Sequence, residues 1–557
     1  MKKQTYFSIF VFALSLVFAL MSGFQVTADV SQPWLTALEK EFESNIGLLA
    51  IGDENPEDFR IDEKELNDLY SRIDSIRLAA GSVAAQVAVL LPDTTILWNF
   101  GVADPRSQSP VDDETMFRAG SVSKSFAGIS MLMLVEQGLV SLDDKLVDLA
   151  PELEIKNPWR DERPVLLSHL LEAGAGFPGF HPSDYMPADS PDIELKKVIT
   201  GLPYELESQW PPGEYTVYHN IGPAITAYLV EKITNQRYED FVQQNIFDPL
   251  NMNQSSFFRT ETVKTKLANI PWREDYIVRA RSMGIIREEE EPGDTYSHIR
   301  FRPAGALNTR AAELSAFVRM LLNRGEYMGQ QLLYPETVER FETSTSTLAA
   351  RKLGITLGHG INNWANVYNN VIYYGHSGSI PPSFAAWYGY SPTSETGLVF
   401  LGHRGENSEN IGRSVVNEIL QYLHPESNTE SDRLIQAPEL SRYAGCYSLV
   451  NPEHAEQQPI YLTVTVQERS AGVKVISAGG EVLADRPLQY WRDPGIYTLS
   501  KTEMEQQHPW EDLLVFVTDD NGNRIAQLLS RNHRAFREVS CDDRPEEVRD
   551  DSFKYQR

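Results

Sequence analysis

A chain of 557 residues is too long for one ordinary domain, and its 41% hydrophobic content with 10% aromatics is ample for packed cores. A formal charge of −28 makes for an acidic surface that repels phosphate backbones and anionic headgroups, so nucleic acid is not an expected partner. Two cysteines alone cannot form a structural zinc site, and the eleven histidines neither cluster nor form H-E-x-x-H, so no metal or other cofactor is expected.

The N-terminus reads as an export signal over residues 1–28. Lys2 and Lys3 form a positive start, "FSIFVFALSLVFALMSGF" an apolar run, and "VTA" before Asp29 a small-residue cleavage site. The expected location is periplasmic or extracellular. The alternative is an uncleaved anchor, the one route to a membrane. Residues 29–60 are an acidic, polar extension without recognisable chemistry.

"DEKELNDLYSRIDSIRLAA" places Leu66, Leu69, Ile73 and Ile76 near helical spacing. Two strand-like runs follow, "VAAQVAVLL" and "TTILWNFGVA", joined by a turn. After "FRAGSVSKSF" (117–126) the chain turns helical, apolar on every side and stopped at Gly138, as in a helix buried at a domain centre. Further helices are expected at "PVLLSHLLEA", "NIGPAITAYLVEKITN" and "TRAAELSAFVRMLLNRG". Strands return at "NVIYYGHSGS", "SFAAWYGYS" and "TGLVFLGH". Strands, then helices, then strands predict an α+β domain over 61–424, with an antiparallel sheet built from both ends of the segment and a helical subdomain. Residues 425–438 read as a linker. Short strands and an Asn521-Gly522 hairpin signal predict a small antiparallel, barrel-like β domain at 439–545, before a polar tail at 546–557. Cys446 sits on its expected first strand and Cys541 just after its last. A closed sheet makes these strands neighbours, so a Cys446–Cys541 disulfide is the expected pairing, with two unpaired thiols as the alternative.

Three short elements carry chemistry. Ser121 and Lys124 are three apart, on one face of a helix beginning at Ser121. A serine hydroxyl needs a base, and a lysine serves only if burial or a nearby cation lowers its pKa. Tyr218-His219-Asn220, just before a helix, can bring a phenol and a carboxamide to a neighbouring site, as proton shuttle and as orienting or substrate-binding group. His376-Ser377-Gly378 ends an apolar strand where a substrate backbone could approach, and the N–H of Ser379 could pair with that of Ser121 as an oxyanion hole. Each has a bland reading: a capped helix start, a packed turn, a β-turn with an incidental histidine. "GAGFPG" (174–179) fits G-x-G-x-x-G but follows a helix, "GHSGS" lacks the last glycine of G-x-S-x-G, and His169 reads as a packed helix histidine.

Together, in this order and spacing, the three elements resemble the serine β-lactamase and penicillin-binding protein superfamily, more closely its class C β-lactamase-related branch with Tyr-x-Asn as second motif. "GVADPRSQSPVDDETMFRAGSVSKSF", "VLLSHLLEAGAGF", "PPGEYTVYHN", "NIFDPLNMNQSSF" and "RPAGALNTRAAELSAFVRMLLNRG" extend the likeness over roughly 80–420. The resemblance implies a β-lactamase/transpeptidase-like fold. It implies Ser121 as acylated nucleophile, Lys124 and Tyr218 as base and proton relay, Asn220 as positioning group, and His376, Ser377 and Gly378 in the place of a Lys-Thr-Gly motif. "LSRYAGCYSL" is similar to the opening of a lipocalin-like domain found appended to such hydrolases. His376 replaces a lysine and no Lys or Arg follows through Tyr390, which argues against substrates with an essential carboxylate. Small esters, amides or D-amino-acid peptides are therefore the expected substrates. The alternatives are a true β-lactamase, a D-Ala-D-Ala carboxypeptidase, or a non-catalytic binding or scaffold protein. "AGAG" at 173–176 also departs from a frequent Thr-Ser-Gly.

Overall fold

The computed structural model describes residues 63–179, 192–269, 278, 281, 296, 298–353, 359–368, 371–380, 384–403, 411–425, 441–449, 460–467, 470–477, 482–490, 496–499, 512–519, 522–529 and 534–543. The expected signal peptide, the N-terminal extension, the linker beyond residue 425 and the polar tail lie outside them. The chain divides into two units, residues 1–65 and 66–557, and the packing below is that of the second.

Helix α1 (Glu63–Ala79) buries Leu69 and Ile73, as its spacing predicts, and half-buries Leu66 and Ile76. Strand β1 (Ala84–Leu90) is buried at every position, as a strand covered on both faces must be. It pairs with β2 (Thr95–Asp104), which follows it directly, and with a strand from the far end of the segment, Val87 facing both Trp98 and Phe400. The remaining strands are β3 (Ser109–Pro110), β4 (Phe117–Gly120), β5 (Leu307–Thr309), a small hairpin β6 (Glu326–Tyr327) and β7 (Gln330–Gln331), β8 (His359–Gly360), β9 (Asn363–Tyr368), β10 (Val371–Ile380), β11 (Phe384–Ser391) and β12 (Thr396–His403). Among the described residues they form an eight-stranded sheet in the order β3-β2-β1-β12-β11-β10-β9-β8, with β4 and β5 paired separately.

Helix α2 (Ser123–Glu136) is buried from Ser123 to Leu134. With apolar residues on every side it cannot lie on a surface. Gly138, at φ +69°, ends it, and Leu139 N–H reaches back to the Leu134 carbonyl at 3.0 Å. Beyond α3 (Leu167–Leu171), helix α4 (Ile221–Thr234) packs against α2. Helices α5 (Ala311–Leu322) and α6 (Ile411–Leu423) cover opposite faces of the sheet: on β12, Gly397 meets Val318 of α5 and Phe400 meets Gly412 of α6, three residues and therefore one face apart. This is the expected α+β architecture. No helix among the described residues is long and apolar enough to cross a membrane.

The C-terminal strands β13 (Gly445–Leu449), β14 (Ile460–Gln467), β15 (Ser470–Ser477), β16 (Val482–Tyr490), β17 (Ile496–Leu499), β18 (Asp512–Thr518), β19 (Arg524–Leu529) and β20 (Arg534–Val539) follow one another around an antiparallel sheet closed by β13–β20 pairing. Tyr447, Leu462, Val464, Val473, Leu514, Phe516, Ala526 and Phe536 form its core. Cys446 and Cys541 are joined by a disulfide, their Cα atoms 5.1 Å apart. Gly522, at φ +84°, turns the β18–β19 connection, which the Asp519 carboxylate ties by accepting from the backbone and side chain of Asn523. Asn521 lies outside the described residues.

Candidate active site

The three serines of "FRAGSVSKSF" have different surroundings. Ser123 Oγ donates to the Gly120 carbonyl at 2.6 Å and accepts from Leu307 N–H at 3.0 Å, locking the end of β4 to β5. Ser125 Oγ donates to the Asn362 carbonyl and accepts from the Tyr388 hydroxyl. Ser121, half-buried, holds neither kind of structural tie among the described residues: its Oγ accepts from Lys124 Nζ at 3.1 Å. The expected helix start at Ser121 is corrected by two residues. Gly120, at φ +54°, turns the chain sharply, Ser121 and Val122 sit in that turn, and α2 begins at Ser123. A bond from Lys124 N–H to the Ser121 carbonyl at 3.0 Å still closes one turn and keeps both side chains on one face.

Lys124 is only 1% exposed. Its ammonium donates to Ser121 Oγ, to Asn220 Oδ1 at 2.8 Å and to the Ala304 carbonyl at 2.9 Å. It also lies 4.8 Å from the centre of the Tyr218 ring. Asn220 stands at the N-cap of α4, where its side chain would ordinarily accept from the helix backbone. It makes no such cap and turns to Lys124, forgoing about 1 kcal/mol of helix stability. The sequence motifs Ser121, Lys124, Tyr218 and Asn220 are thus brought together from the starts of two packed helices. Ala304, missed from sequence, contributes a backbone carbonyl, and backbone groups leave no residue-type signal. Its short helical turn, Arg302–Gly305, is held by a buried ion pair of Arg302 with Glu239 at 2.6 Å.

His219, between Tyr218 and Asn220, is tied to the helix start. Its Nδ1 accepts from Gly222 N–H at 3.2 Å, and burial, reinforced by the charge of Lys124, lowers its pKa to about 4. It is therefore neutral at physiological pH and adds no second charge beside Lys124.

The third motif reaches the site through backbone and through His376. A Cβ on Gly378 would stand 1.9 Å from the Ala119 carbonyl and 3.0 Å from Ser121 N. One on Gly120 would stand 2.7 Å from Ser379 N. The strand and the nucleophile turn thus touch backbone to backbone, which brings the amide nitrogens of Ser121 and Ser379 into one neighbourhood. Ser377 and Ser379 are exposed, while His376 is 1% exposed and its Nδ1 lies 2.6 Å from the Ser377 carbonyl. Its ring packs 4.2 Å from Trp364 and 6.2 Å from Tyr218, and Trp364 meets Tyr218 edge-on at 5.3 Å. His376, expected among the substrate-binding residues, is thus a buried member of an aromatic cluster with Trp364 and Tyr218. Trp364 was not singled out from sequence. "NWANVY" carries alternation and could have been read as a strand, but its place beside β10 is a tertiary fact.

A narrow pocket with room for about one water molecule runs beside this cluster, lined by Lys124, Tyr218, Trp364, Asn362, Leu171, Glu172, Ala173 and His219. Glu172, fully buried, accepts from Arg340, the Ser344 hydroxyl and the N–H groups of Thr345 and Ser346, at 2.6–3.0 Å. The "AGAG" segment gives its glycines to packing: Gly174 abuts Thr347, and Gly176, at φ +80°, abuts the Trp210 carbonyl. That settles "GAGFPG" as a packing element. His169 is half-buried, accepts from Leu166 N–H, and burial lowers it to about 4, as a packed histidine should be. Among the described residues no group of three or more potential ligands could hold a metal ion.

The model of the beta-lactamase family matches residues 73–419, more than half of the chain. Over 387 residues the chain is 23% identical to penicillin-binding protein 4* of Bacillus subtilis, covering 67% of this chain and 81% of that protein. Over 206 residues it is 27% identical to a beta-lactamase of Yersinia enterocolitica, covering 36% of this chain but only 49% of that protein. The solved octameric penicillin-binding protein homologue of Pyrococcus abyssi superimposes with a TM-score of 0.50 at 18% identity, over 85% of this chain and 99% of that one, a likeness of fold.

Proposed function

Because the chain belongs to the beta-lactamase family, we propose that it is an exported serine hydrolase that forms an acyl-enzyme on Ser121 and acts on small esters, amides or D-amino-acid peptides. The observation that carries this reading is the buried Lys124 ammonium bridging Ser121 Oγ and Asn220 Oδ1 beneath the Tyr218 ring. Ser121 Oγ attacks a carbonyl carbon as its proton passes to a group with a free lone pair, the Tyr218 phenolate beside the Lys124 ammonium or Lys124 itself as the neutral amine, and these two residues form the relay. The developing oxyanion lies between the N–H groups of Ser121 and Ser379. The relay returns the proton to the leaving group as the carbon–heteroatom bond breaks, and water then attacks the acyl carbon by the same route. Asn220 orients the lysine. Export rests on the charged and apolar character of residues 1–28.

The names of the relatives, a beta-lactamase and a penicillin-binding protein, favour β-lactam substrates, and the chain spans only about half of one of them. His376 favours the other side: a buried imidazole under Trp364 offers a substrate carboxylate no fixed surface cation. Side-by-side turnover of p-nitrophenyl esters, D-amino-acid anilides and nitrocefin tests this. Small esters or amides should turn over faster, and efficient nitrocefin hydrolysis with negligible esterase activity would overturn the substrate class.

A further inference from the structure

The C-terminal barrel touches the chain where the Tyr218 loop begins. Trp210, Tyr215 and Val217 form a buried apolar cluster with Ile525 of β19, and Val517 of β18 and Leu348 pack against it. Side chains alternate along a strand. Leu514, Phe516, Ala526 and Phe536 belong to the barrel core, so Val517, Ile525 and Arg537 stand on the outer face. From that face Arg537 Nη2 donates to Glu214 Oε1 at 2.9 Å and to the Tyr215 hydroxyl at 2.7 Å. Glu214 is 6% exposed and Tyr215 fully buried, and burial pushes the Tyr215 phenol up, so it stays neutral and available as an acceptor.

Residues 211–219 contain neither helix nor strand, so tertiary contacts fix their path. On one side, Gly213 N–H and Val217 N–H donate to the carbonyls of Gly174 and Ala173, both at 2.8 Å. Thr216 meets the Thr347 hydroxyl at 3.0 Å, and Leu348 N–H reaches the Gly213 carbonyl at 3.1 Å. On the other side stands the barrel. Tyr218 follows Val217 directly, and Asn220, two residues further, holds Lys124.

We propose that Arg537 is a positioning residue for the candidate active site: through Glu214 and Tyr215 the barrel fixes the backbone from which Tyr218 and Asn220 project, and so sets the rate of Ser121 acylation. This rests on the reading of Ser121 as nucleophile. A relay group displaced by about 1 Å loses on the order of a hundredfold in rate, so a small slackening of this loop is felt in kcat.

The test uses the full-length protein with Arg537→Ala, Arg537→Lys, Tyr215→Phe and the Arg537→Ala/Tyr215→Phe pair. Acylation by a fluorophosphonate and turnover of a p-nitrophenyl ester are followed across neutral to alkaline pH, and amide exchange over residues 210–220 is measured alongside. Arg537→Ala should lower kcat about tenfold or more with KM changed less than about twofold, and displace the pH–rate profile. It should speed exchange over 210–220 while β18–β20 stay protected. Arg537→Lys should recover part of the rate, and the two substitutions should be non-additive. Wild-type kcat in Arg537→Ala, or unchanged exchange over 210–220, would overturn the proposal, as would a loss accompanied by faster exchange throughout the barrel. A wild-type protein that no probe acylates would instead overturn the hydrolase reading, and with it any control of rate by Arg537.

Discussion

Gly378 lies so close to the nucleophile turn that a single added carbon would stand 1.9 Å from the Ala119 carbonyl and 3.0 Å from Ser121 N. The contact is backbone on backbone, so neither side can yield by changing a rotamer. Gly378→Ala should push β10 from the turn, separate the amides of Ser121 and Ser379, and lower the acylation rate by on the order of a hundredfold. Single-turnover labelling beside thermal melting checks this. Labelling at the wild-type rate would show that the two amides do not act together.

The Lys124 bridge predicts a graded series. Asn220→Ala removes an acceptor from a buried ammonium without touching Ser121, and should slow acylation by about ten- to a hundredfold. Lys124→Met removes the bridge and should slow it by a thousandfold or so. A Lys124→Met enzyme as fast as Asn220→Ala would assign the relay elsewhere.

How much of this was legible in the sequence follows from what each feature depends on. Ser121, Lys124, Tyr218 and Asn220 could be singled out because short local spacing puts each pair at a helix start. A sheet built from both ends of the segment could be anticipated because β1 and β12 are largely apolar runs, interrupted only by Gln86 and by the terminal Thr396 and His403. Trp364 and the Ala304 carbonyl could not: one reaches the site by cross-strand pairing and the other is backbone. Helix α6 escaped although its buried Val415, Val416, Ile419 and Leu420 keep helical spacing, and β16 escaped because Pro487 interrupts it. Arg537 carries no local signal, since its partners lie more than three hundred residues away.

Stability should fall on mild acidification. Burial, with Lys124 adding to it, holds the His219 imidazole at about 4, against an ordinary value of 6.5. The folded state thus prefers the neutral ring. Its contribution is complete above pH 6.5, where the unfolded ring is neutral too, and is lost as pH falls toward 4. The loss for this group is on the order of 3 kcal/mol. His219→Asn keeps an acceptor for Gly222 N–H and cannot titrate. Denaturant midpoints measured between neutral pH and pH 4 should fall less steeply for the variant. An identical pH dependence would contradict the assignment.

The Cys446–Cys541 disulfide joins the first barrel strand to the turn after the last, across 95 residues. Thiol titration of the denatured, unreduced protein should find no reactive cysteine. Cys446→Ser should destabilise the barrel by about 2–4 kcal/mol. Two free thiols, or an unchanged barrel, would contradict this.

The central claim is that Ser121 is the acylated nucleophile. Intact-mass analysis after incubation with a fluorophosphonate, which phosphonylates a serine oxygen with loss of fluoride, tests it most directly. The wild-type protein should gain one adduct, mapped by peptide sequencing to Ser121, and Ser121→Ala should gain none. An adduct of equal yield on Ser121→Ala, or a wild-type protein left unmodified by every acylating probe, would contradict it.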